Sequence, residues 1–347
     1  ENRSYLPEVI YHQGHLYQKS GKLTEAYNRY RFLHFAFPTN QLTRQAKEEM
    51  NKLAKDVSIK IKPLTLDEYE QRIRALRDDV EYQQVVNEIS ELLKVRTSLP
   101  VNFYFYLARA QKGLRKRNLS NSALRKSLEH HPGHKRTQEA LFMIGRNLWN
   151  TGYYQDGLKY FKNSIDQGVD PALTNQARFF IGKMHEEKKR YREATKYYTK
   201  LVSEFTDEYA ERAAWQLGWM NYTIGNFQKA YDYFDESSRS YPSGLFIESS
   251  MFWSAKSAEA LNHKELSQQI FTNVNMTFPY TYYGIRAGEK KAGKNFFSTA
   301  RKSEALQDTT TNLSSAADFH YSRGIELSAT GFFEDARLEI KKVESVT

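Results

Sequence analysis

The chain has 347 residues, more than the roughly 250–300 at which a single hydrophobic core stops growing, so one small compact domain is excluded. Only 17 Gly and 8 Pro are present and 40% of the residues are hydrophobic, a composition that favours helices and argues against general disorder. The absence of Cys excludes disulfides, thiol nucleophiles and Cys-ligated zinc, and 51 Lys and Arg against 41 Asp and Glu give a net charge of +10.

The sequence starts at Glu1, without a Met and without a basic and then apolar leader. It also lacks an apolar run near the roughly 20 residues that cross a bilayer. We therefore expect a mature or trimmed product with neither a signal peptide nor a transmembrane segment.

In chain order, the main feature is an internal repeat. A small anchor residue is followed by a turn glycine after seven residues, a small residue after twelve, an aromatic residue after sixteen and a proline after twenty-four. The clearest copy starts at Gly218 and continues with Gly225, Ala230, Phe234 and Pro242. All or part of this spacing also starts from Gly14, Gly145, Gly182, Ala255 and Gly324.

Each position of the repeat has a mechanical reason. Small residues at Gly218 and Ala230 let two antiparallel helices approach closely, and Phe234 fills the space between them. Gly225 can supply a turn with positive φ, and Pro242 ends the second helix. This pattern resembles the tetratricopeptide repeat and predicts an all-α fold, in which antiparallel helix pairs stack into a curved superhelix with a concave groove.

Between Val101 and Gly133 the pattern is weaker. Ala108 stands at the anchor and Pro132 at the stop, but no turn glycine lies between them.

Two interruptions divide the predicted repeats. Residues 1–55 are interpreted as N-terminal helical repeats and 56–66 as a linker, because this segment alternates polar and apolar residues and contains a proline. Residues 67–297 are the predicted superhelix. Residues 298–315, rich in Ser, Thr, Asn and Asp, predict a loop before a closing helical pair at 316–347.

The positive charge is concentrated in one window. Residues 101–150 carry ten basic and two acidic side chains, whereas 201–250 carry three basic and eight acidic. The basic window indicates an anionic partner, and a solvated helical face is the alternative. A nucleic-acid partner is not predicted, because no aromatic residues are interleaved around Arg115–Arg117.

The first helix of each tetratricopeptide-like pair faces the concave side, and its groove-facing positions here carry aromatic and cationic side chains. Such a surface suits sugar rings, peptide stems or extended chains. The alternative is that rings such as Trp215 and Phe179 only pack between repeats. The candidate groove residues are Arg146, Trp149, Lys183, Arg212, Trp219, Tyr222 and Lys256.

No metal site or cofactor is predicted. His130, His131 and His134 in EHHPGH look like a ligand cluster, but Pro132 and Gly133 break the regular spacing that ligands need. We interpret them as loop histidines. The sequence also lacks a phosphate-binding glycine loop and a nucleophile elbow.

The run FPYTYYGIRA at Phe278–Ala287 and the run RGIELSATGFFEDARLEI at Arg323–Ile340 resemble the superhelical region of soluble lytic murein transglycosylases. The resemblance extends over roughly Thr137–Thr347. The residues that match the family motif are Tyr282, Tyr283, Gly284, Gly331, Ala336 and Glu339.

In that family a Glu-Ser pair, followed downstream by Gly-Leu-Met-Gln, carries catalysis. Glu248 and Ser249 match the first half only, and no Gly-Leu-Met-Gln follows, so no catalytic residue is predicted in this chain. The resemblance implies a lysozyme-like catalytic domain beyond Thr347.

The resemblance therefore implies the non-catalytic scaffold of a bacterial periplasmic lytic transglycosylase, which positions peptidoglycan strands or partner proteins for that domain. The alternative is a periplasmic tetratricopeptide-type module for protein–protein interaction in envelope assembly or cell division, with no enzymatic activity.

Overall fold

The computed structural model describes residues 6–56, 59, 63–292, 317, 320 and 338–343. Every regular element within these ranges is an α-helix, so the predicted all-α fold is confirmed. The chain divides into two compact units, unit 1 (Glu1–Ala177) and unit 2 (Arg178–Thr347), and the division falls inside a helix.

The helices of unit 1 are α1 (Leu6–Lys19), α2 (Leu23–Ala36), α3 (Gln41–Leu53), α4 (Leu66–Asp78), α5 (Tyr82–Val95), α6 (Val101–Gly113), α7 (Arg117–His130), α8 (Thr137–Asn150) and α9 (Tyr154–Gln167). The helix that holds the division is α10 (Pro171–Glu187). In unit 2 it is followed by α11 (Tyr191–Glu204), α12 (Glu208–Thr223), α13 (Phe227–Ser240), α14 (Ile247–Ala260), α15 (Lys264–Thr277) and α16 (Tyr282–Ala292).

Helices that are consecutive in sequence pack against one another. In unit 1, α1 packs on α2, α6 on α7 and α8 on α9; in unit 2, α12 packs on α13 and α14 on α15. Short turns make the members of each pair antiparallel. The predicted stacking of antiparallel helix pairs is therefore confirmed within each unit.

The turn between paired helices contains one residue in the left-handed conformation. Gly21, Gly152 and Gly225 take this place with φ of 76°, 84° and 83°. Each lies seven residues after its anchor, as the repeat predicts, and glycine adopts this conformation without the steric penalty of a side chain.

Non-glycine residues hold the same place in other pairs. Arg115, Lys189 and Asn262 have φ of 61°, 56° and 64° and also lie seven residues after an anchor. The pair α6 and α7 is thus a full repeat, although its turn lacks the glycine that the pattern requires. Since β-carbons raise the energy of this conformation, these turns depend on the packing of the helices around them.

The pair α4 and α5 is a repeat that the sequence pattern does not reveal. Val80 has φ of 65° and lies seven residues after Ile73, which takes the anchor place. Val85 and Ile89 follow at the expected offsets. The side chains of Ile73, Val85 and Ile89 are fully buried. An isoleucine anchor hides the repeat because the pattern expects a small residue there.

The predicted domain boundaries stay predictions. Residues 57, 58 and 60–62 of the predicted linker lie outside the described residues, as do all of the predicted loop at 298–315 and most of the predicted closing pair at 316–347. At the end of the linker, Thr65 and Glu68 form a capping box at α4. Thr65 Oγ1 accepts from the Glu68 backbone N–H over 3.3 Å, and Glu68 Oε2 accepts from the Thr65 backbone N–H over 2.8 Å.

Candidate binding surfaces

The predicted groove residues all lie on the first helix of a pair. Arg146 and Trp149 lie on α8 in unit 1, and both are partly exposed. The residues in unit 2 are Lys183 on α10, Arg212, Trp219 and Tyr222 on α12, and Lys256 on α14.

Five aromatic side chains of unit 2 form one surface, which we call the aromatic cluster: Trp215, Trp219, Tyr222, Phe246 and Trp253. Trp219 stacks on Trp215, with ring centroids 5.7 Å apart and 10° between planes, and on Tyr222, at 6.2 Å and 11°. Residues three and four apart share one helix face, so the sequence of α12 places these rings in a row. All five are partly exposed.

Trp253 of α14 joins this row across the helix interface, and sequence reasoning missed it. Its ring lies edge-on to Trp219 at 4.8 Å and to Tyr222 at 4.9 Å. The signal was present, because Trp253 lies three residues before Lys256 and therefore on the same helix face. Of the α14 residues, the prediction included Lys256 only.

Charged side chains border both ends of the aromatic cluster. At one end, the Arg212 guanidinium lies 5.7 Å from the centre of the Phe246 ring and donates to Glu208 Oε1 over 2.9 Å. At the other end, Glu259 accepts hydrogen bonds from Lys256 and Lys290. The surface thus combines apolar rings with cations whose charges are partly balanced.

The pKa values of Glu259 and Tyr222, at this end of the aromatic cluster, reflect the same contacts. Burial raises the pKa of the Glu259 carboxyl, but the hydrogen bonds from Lys256 and Lys290 outweigh it and hold that pKa below its usual range. Burial and the Glu259 charge raise the pKa of the Tyr222 hydroxyl. At neutral pH, Glu259 is therefore ionised and Tyr222 remains a neutral hydrogen-bonding group.

Lys183 is already engaged within unit 2. Its Nζ lies 3.3 Å from Glu186 Oε1, which also accepts from Gln216 Nε2 over 2.7 Å. Glu186 Oε2 accepts from the buried Tyr198 hydroxyl over 2.9 Å. The structure brings Trp219, Tyr222 and Lys256 around one surface, whereas Lys183 belongs to a separate polar network.

The motif Tyr282–Gly284 has a packing role. Tyr283 packs on Phe252 with ring centroids 5.3 Å apart and lies beside Trp253 of the aromatic cluster. A β-carbon at Gly284 would lie 1.6 Å from the Phe278 carbonyl oxygen, so the first turn of α16 requires glycine. Gly331 and Ala336 lie outside the described residues.

The last motif residue, Glu339, accepts from Lys342 Nζ at 2.8 Å and lies 2.7 Å from His320 Nδ1. Lys342 and His320 lower the pKa of its carboxyl to about 2.

The histidines of EHHPGH have structural contacts. His130 stacks on Tyr104 with ring centroids 5.9 Å apart, and His131 Nε2 lies 2.7 Å from the Leu99 carbonyl oxygen. His134 Nδ1 accepts from the Arg136 backbone N–H over 3.1 Å. Among the described residues, no three His, Asp or Glu side chains converge as metal ligands would.

Glu248 and Ser249 lie in the first turn of α14. The Ser249 hydroxyl donates to the Phe246 carbonyl over 3.0 Å, which is a local turn contact. Across the described part of the chain, every helix is too short or too polar to cross a membrane.

Residues 142–209 match the family model of the tetratricopeptide repeat. No significant match to this sequence is found among curated proteins.

Solved structures give further matches. The C-terminal part of a tetratricopeptide repeat-containing protein from Cytophaga hutchinsonii aligns with a TM-score of 0.53 at 12% identity, over 80% of this chain and 98% of that chain. A tetratricopeptide repeat protein from Parabacteroides merdae aligns with a TM-score of 0.44 at 15% identity, over 71% of this chain and 93% of that chain. The family model and the alignment with the Cytophaga hutchinsonii structure confirm the predicted tetratricopeptide-type fold. The resemblance to lytic transglycosylases is not tested by these matches and stays a prediction.

Proposed function

We propose that this chain is a tetratricopeptide-type binding module, and that the aromatic cluster of unit 2 holds an extended segment of a partner protein. The observation that carries this proposal is the row of partly exposed rings on α12 and α14, with Arg212 and Lys256 at its borders. Trp, Tyr and Arg are the side chains on which protein interfaces most often depend.

The rings are also held in place before any partner arrives. Trp219 contacts Trp215, Tyr222 and Trp253, and Tyr222 also contacts Trp253. A rigid surface of this kind loses little side-chain entropy on binding.

The test selects ligands from a random dodecapeptide phage library on the immobilised chain and measures the binding of selected peptides by quenching of tryptophan fluorescence. We expect Trp219→Leu and Trp253→Leu to weaken binding at least tenfold, because each removes a ring that contacts the peptide. Tyr153→Ala is the control, since Tyr153 is a 56% exposed aromatic residue of unit 1. Undiminished binding by both tryptophan variants would contradict the proposal.

A second candidate follows from the resemblance at Phe278–Ala287: the same surface could belong to the scaffold of a periplasmic lytic transglycosylase and hold a glycan strand. The supporting observation is that Tyr283, a residue of the family motif, packs on Phe252 of α14 and lies beside Trp253 of the aromatic cluster. Flat, partly exposed rings such as Trp219 suit the apolar faces of sugars.

Purified sacculi test this candidate. The chain should sediment with sacculi and release no anhydro-muropeptides, and Trp219→Leu should reduce sedimentation. Osmotic-shock fractionation of the native cells tests the periplasmic location. Absence of sedimentation while selected peptides still bind would eliminate the glycan role and leave the protein-binding role standing.

A further inference from the structure

Arg109 and Lys112, two residues of the basic window, line a pocket in unit 1. This pocket, about 550 Å³ in volume, is lined by parts of α6, α8 and the first turns of α10, together with Tyr82 of α5. Its size falls within the roughly 300–1,000 Å³ of ligand pockets in proteins. All its lining residues belong to unit 1, and none of them belongs to the aromatic cluster.

The rim of the pocket is cationic. Lys112 and Arg109 line it from α6, and Arg117 and Arg146 lie near enough to act on the Lys112 charge. Burial and these three arginines lower the pKa of Lys112. The Lys112 side chain makes no hydrogen bond or ion pair with any residue that the structure describes.

The acidic side chain at the pocket is already neutralised. Glu139 accepts from Arg109 Nη2 over 2.8 Å and from Arg136 Nε over 2.9 Å. Arg136 itself lies on the Phe105 ring at 3.6 Å. Glu139 therefore does not neutralise the charge of Lys112. In addition, Arg117 Nε is buried without a hydrogen-bond partner among the described residues.

The floor of the pocket is apolar and firm. Phe142, Met143 and Leu173 line it, and Phe142 is only 5% exposed. On the α6 side, the Tyr82 ring lies against Gly113, where a β-carbon would be 2.4 Å from the ring. Since the Phe142 ring is covered, it does not offer the open face on which nucleic-acid bases stack.

We infer that this pocket binds an acidic segment of a partner polypeptide, with a Glu or Asp side chain on Lys112 and an adjacent apolar side chain against Met143 and Leu173. The inference rests on the proposed protein-binding function and adds the chemistry of the partner. The pocket and the acidic segment match in charge. The cationic rim has no free carboxylate of its own, so an anion from the partner stabilises it. The apolar floor distinguishes such a segment from a purely charged polymer.

Fluorescence anisotropy of labelled peptides on the full chain tests the inference. The probe is a peptide with three Glu-Leu repeats, and the comparison probes are its Lys-Leu counterpart, a six-residue oligoglutamate and a single-stranded oligonucleotide. We expect only the Glu-Leu peptide to bind well, with a tenfold or greater loss in Lys112→Glu and about a fivefold loss in Met143→Ser. Raising the salt concentration from 50 to 200 mM should weaken binding.

Lys229→Glu is the matched control, because it makes the same charge change at an exposed position of α13 in unit 2 and should leave binding unchanged. Equal binding of oligoglutamate, tighter binding of the oligonucleotide, or an unchanged affinity of Lys112→Glu would each overturn the inference. Trp219→Leu should not affect this assay. Failure of the Glu-Leu peptide while library peptides still quench the tryptophans would therefore remove this inference and leave the proposed function intact.

Discussion

Gly218 of α12 and the Phe234 ring of α13 share one space: a β-carbon at Gly218 would lie 2.5 Å from Phe234 Cδ1. The same relation joins Gly182 with Tyr198 at 2.4 Å and Gly145 with Phe161 at 3.0 Å. In each pair the partners are sixteen residues apart. The ring lies directly on the glycine backbone of the first helix, which sets the distance between the two helices.

Gly218→Ala should therefore destabilise unit 2, by about 2 kcal/mol, because the new methyl group overpacks a fully buried contact. Adding Phe234→Leu should recover part of the loss, since Ala108 and Leu124 hold the corresponding places in α6 and α7. Urea titration followed by circular dichroism measures both changes. Gln228→Ala, on the exposed side of α13, is the control and should change the free energy of unfolding by less than about 0.5 kcal/mol.

Gln138 joins one repeat of unit 1 to the turn before the next helix. Its Oε1 accepts from the Asp170 backbone N–H over 2.6 Å, and its Nε2 donates to the Asp170 carbonyl over 3.1 Å and to Thr174 Oγ1 over 2.9 Å. Gln138→Leu should cost about 2–3 kcal/mol, because these polar groups lose their partner inside the protein. Faster hydrogen exchange at Asp170 and Thr174 would locate the effect.

Gln228→Leu is the matched control for this prediction. Gln228 hydrogen-bonds to Asp232 at an exposed position, where water can replace the lost partner. An equal loss of stability in the two variants would show that the buried hydrogen bonds of Gln138 stabilise the fold no more than the exposed hydrogen bond of Gln228.

His34 should make the stability of unit 1 depend on pH. Burial, together with the charges of Arg72 and Lys47, lowers its pKa from 6.5 to about 4, and its Nδ1 is buried without a hydrogen-bond partner among the described residues. Above pH 6.5 the imidazole is neutral in both states. Between pH 6.5 and 4 the unfolded chain takes up the proton first, so this part of the stability is lost as the pH falls.

We expect a loss of about 2 kcal/mol across that window, allowing for partial exposure of the ring. Hydrogen exchange of the α2 amides at pH 7 and pH 4.5 measures it after correction for the intrinsic exchange rate. His34→Gln should flatten the pH profile, whereas His12→Gln, at an exposed position of α1, should not. A profile of the same slope in His34→Gln would contradict the prediction.

Tyr283→Phe should disturb the aromatic cluster without unfolding α16. It keeps the ring that packs on Phe252 at 5.3 Å but removes the partly buried hydroxyl beside Trp253. We expect a loss of about 1 kcal/mol and a weaker near-ultraviolet circular dichroism signal from tryptophan. Tyr282→Phe is the control, since Tyr282 is 47% exposed and should leave both quantities unchanged.

The sequence predicted the repeat fold because the contacts that define it are local. Gly218, Gly225 and Phe234 each have a role that can be inferred from offsets along the chain, and the helices they connect are adjacent in sequence. The repeat of α4 and α5 was not predicted from the sequence. Two isoleucines, Ile73 and Ile89, fill the space that a small anchor residue and a large aromatic ring fill together in the other repeats. Only the packed structure reveals that equivalence.

The sequence by itself determined the helix pairs, their turns and the first-helix positions that carry Trp219 and Tyr222, since all of these follow from helical periodicity. Tertiary structure decided which side chains come together across helices: Trp253 with Trp219, Tyr283 with Trp253, and Lys112 of α6 with Arg117 of α7 and Arg146 of α8. The physical reason is that spacing along a helix fixes a direction around its axis. Distances between helices, and with them burial and the balance of charge at a surface, depend on how side-chain volumes pack.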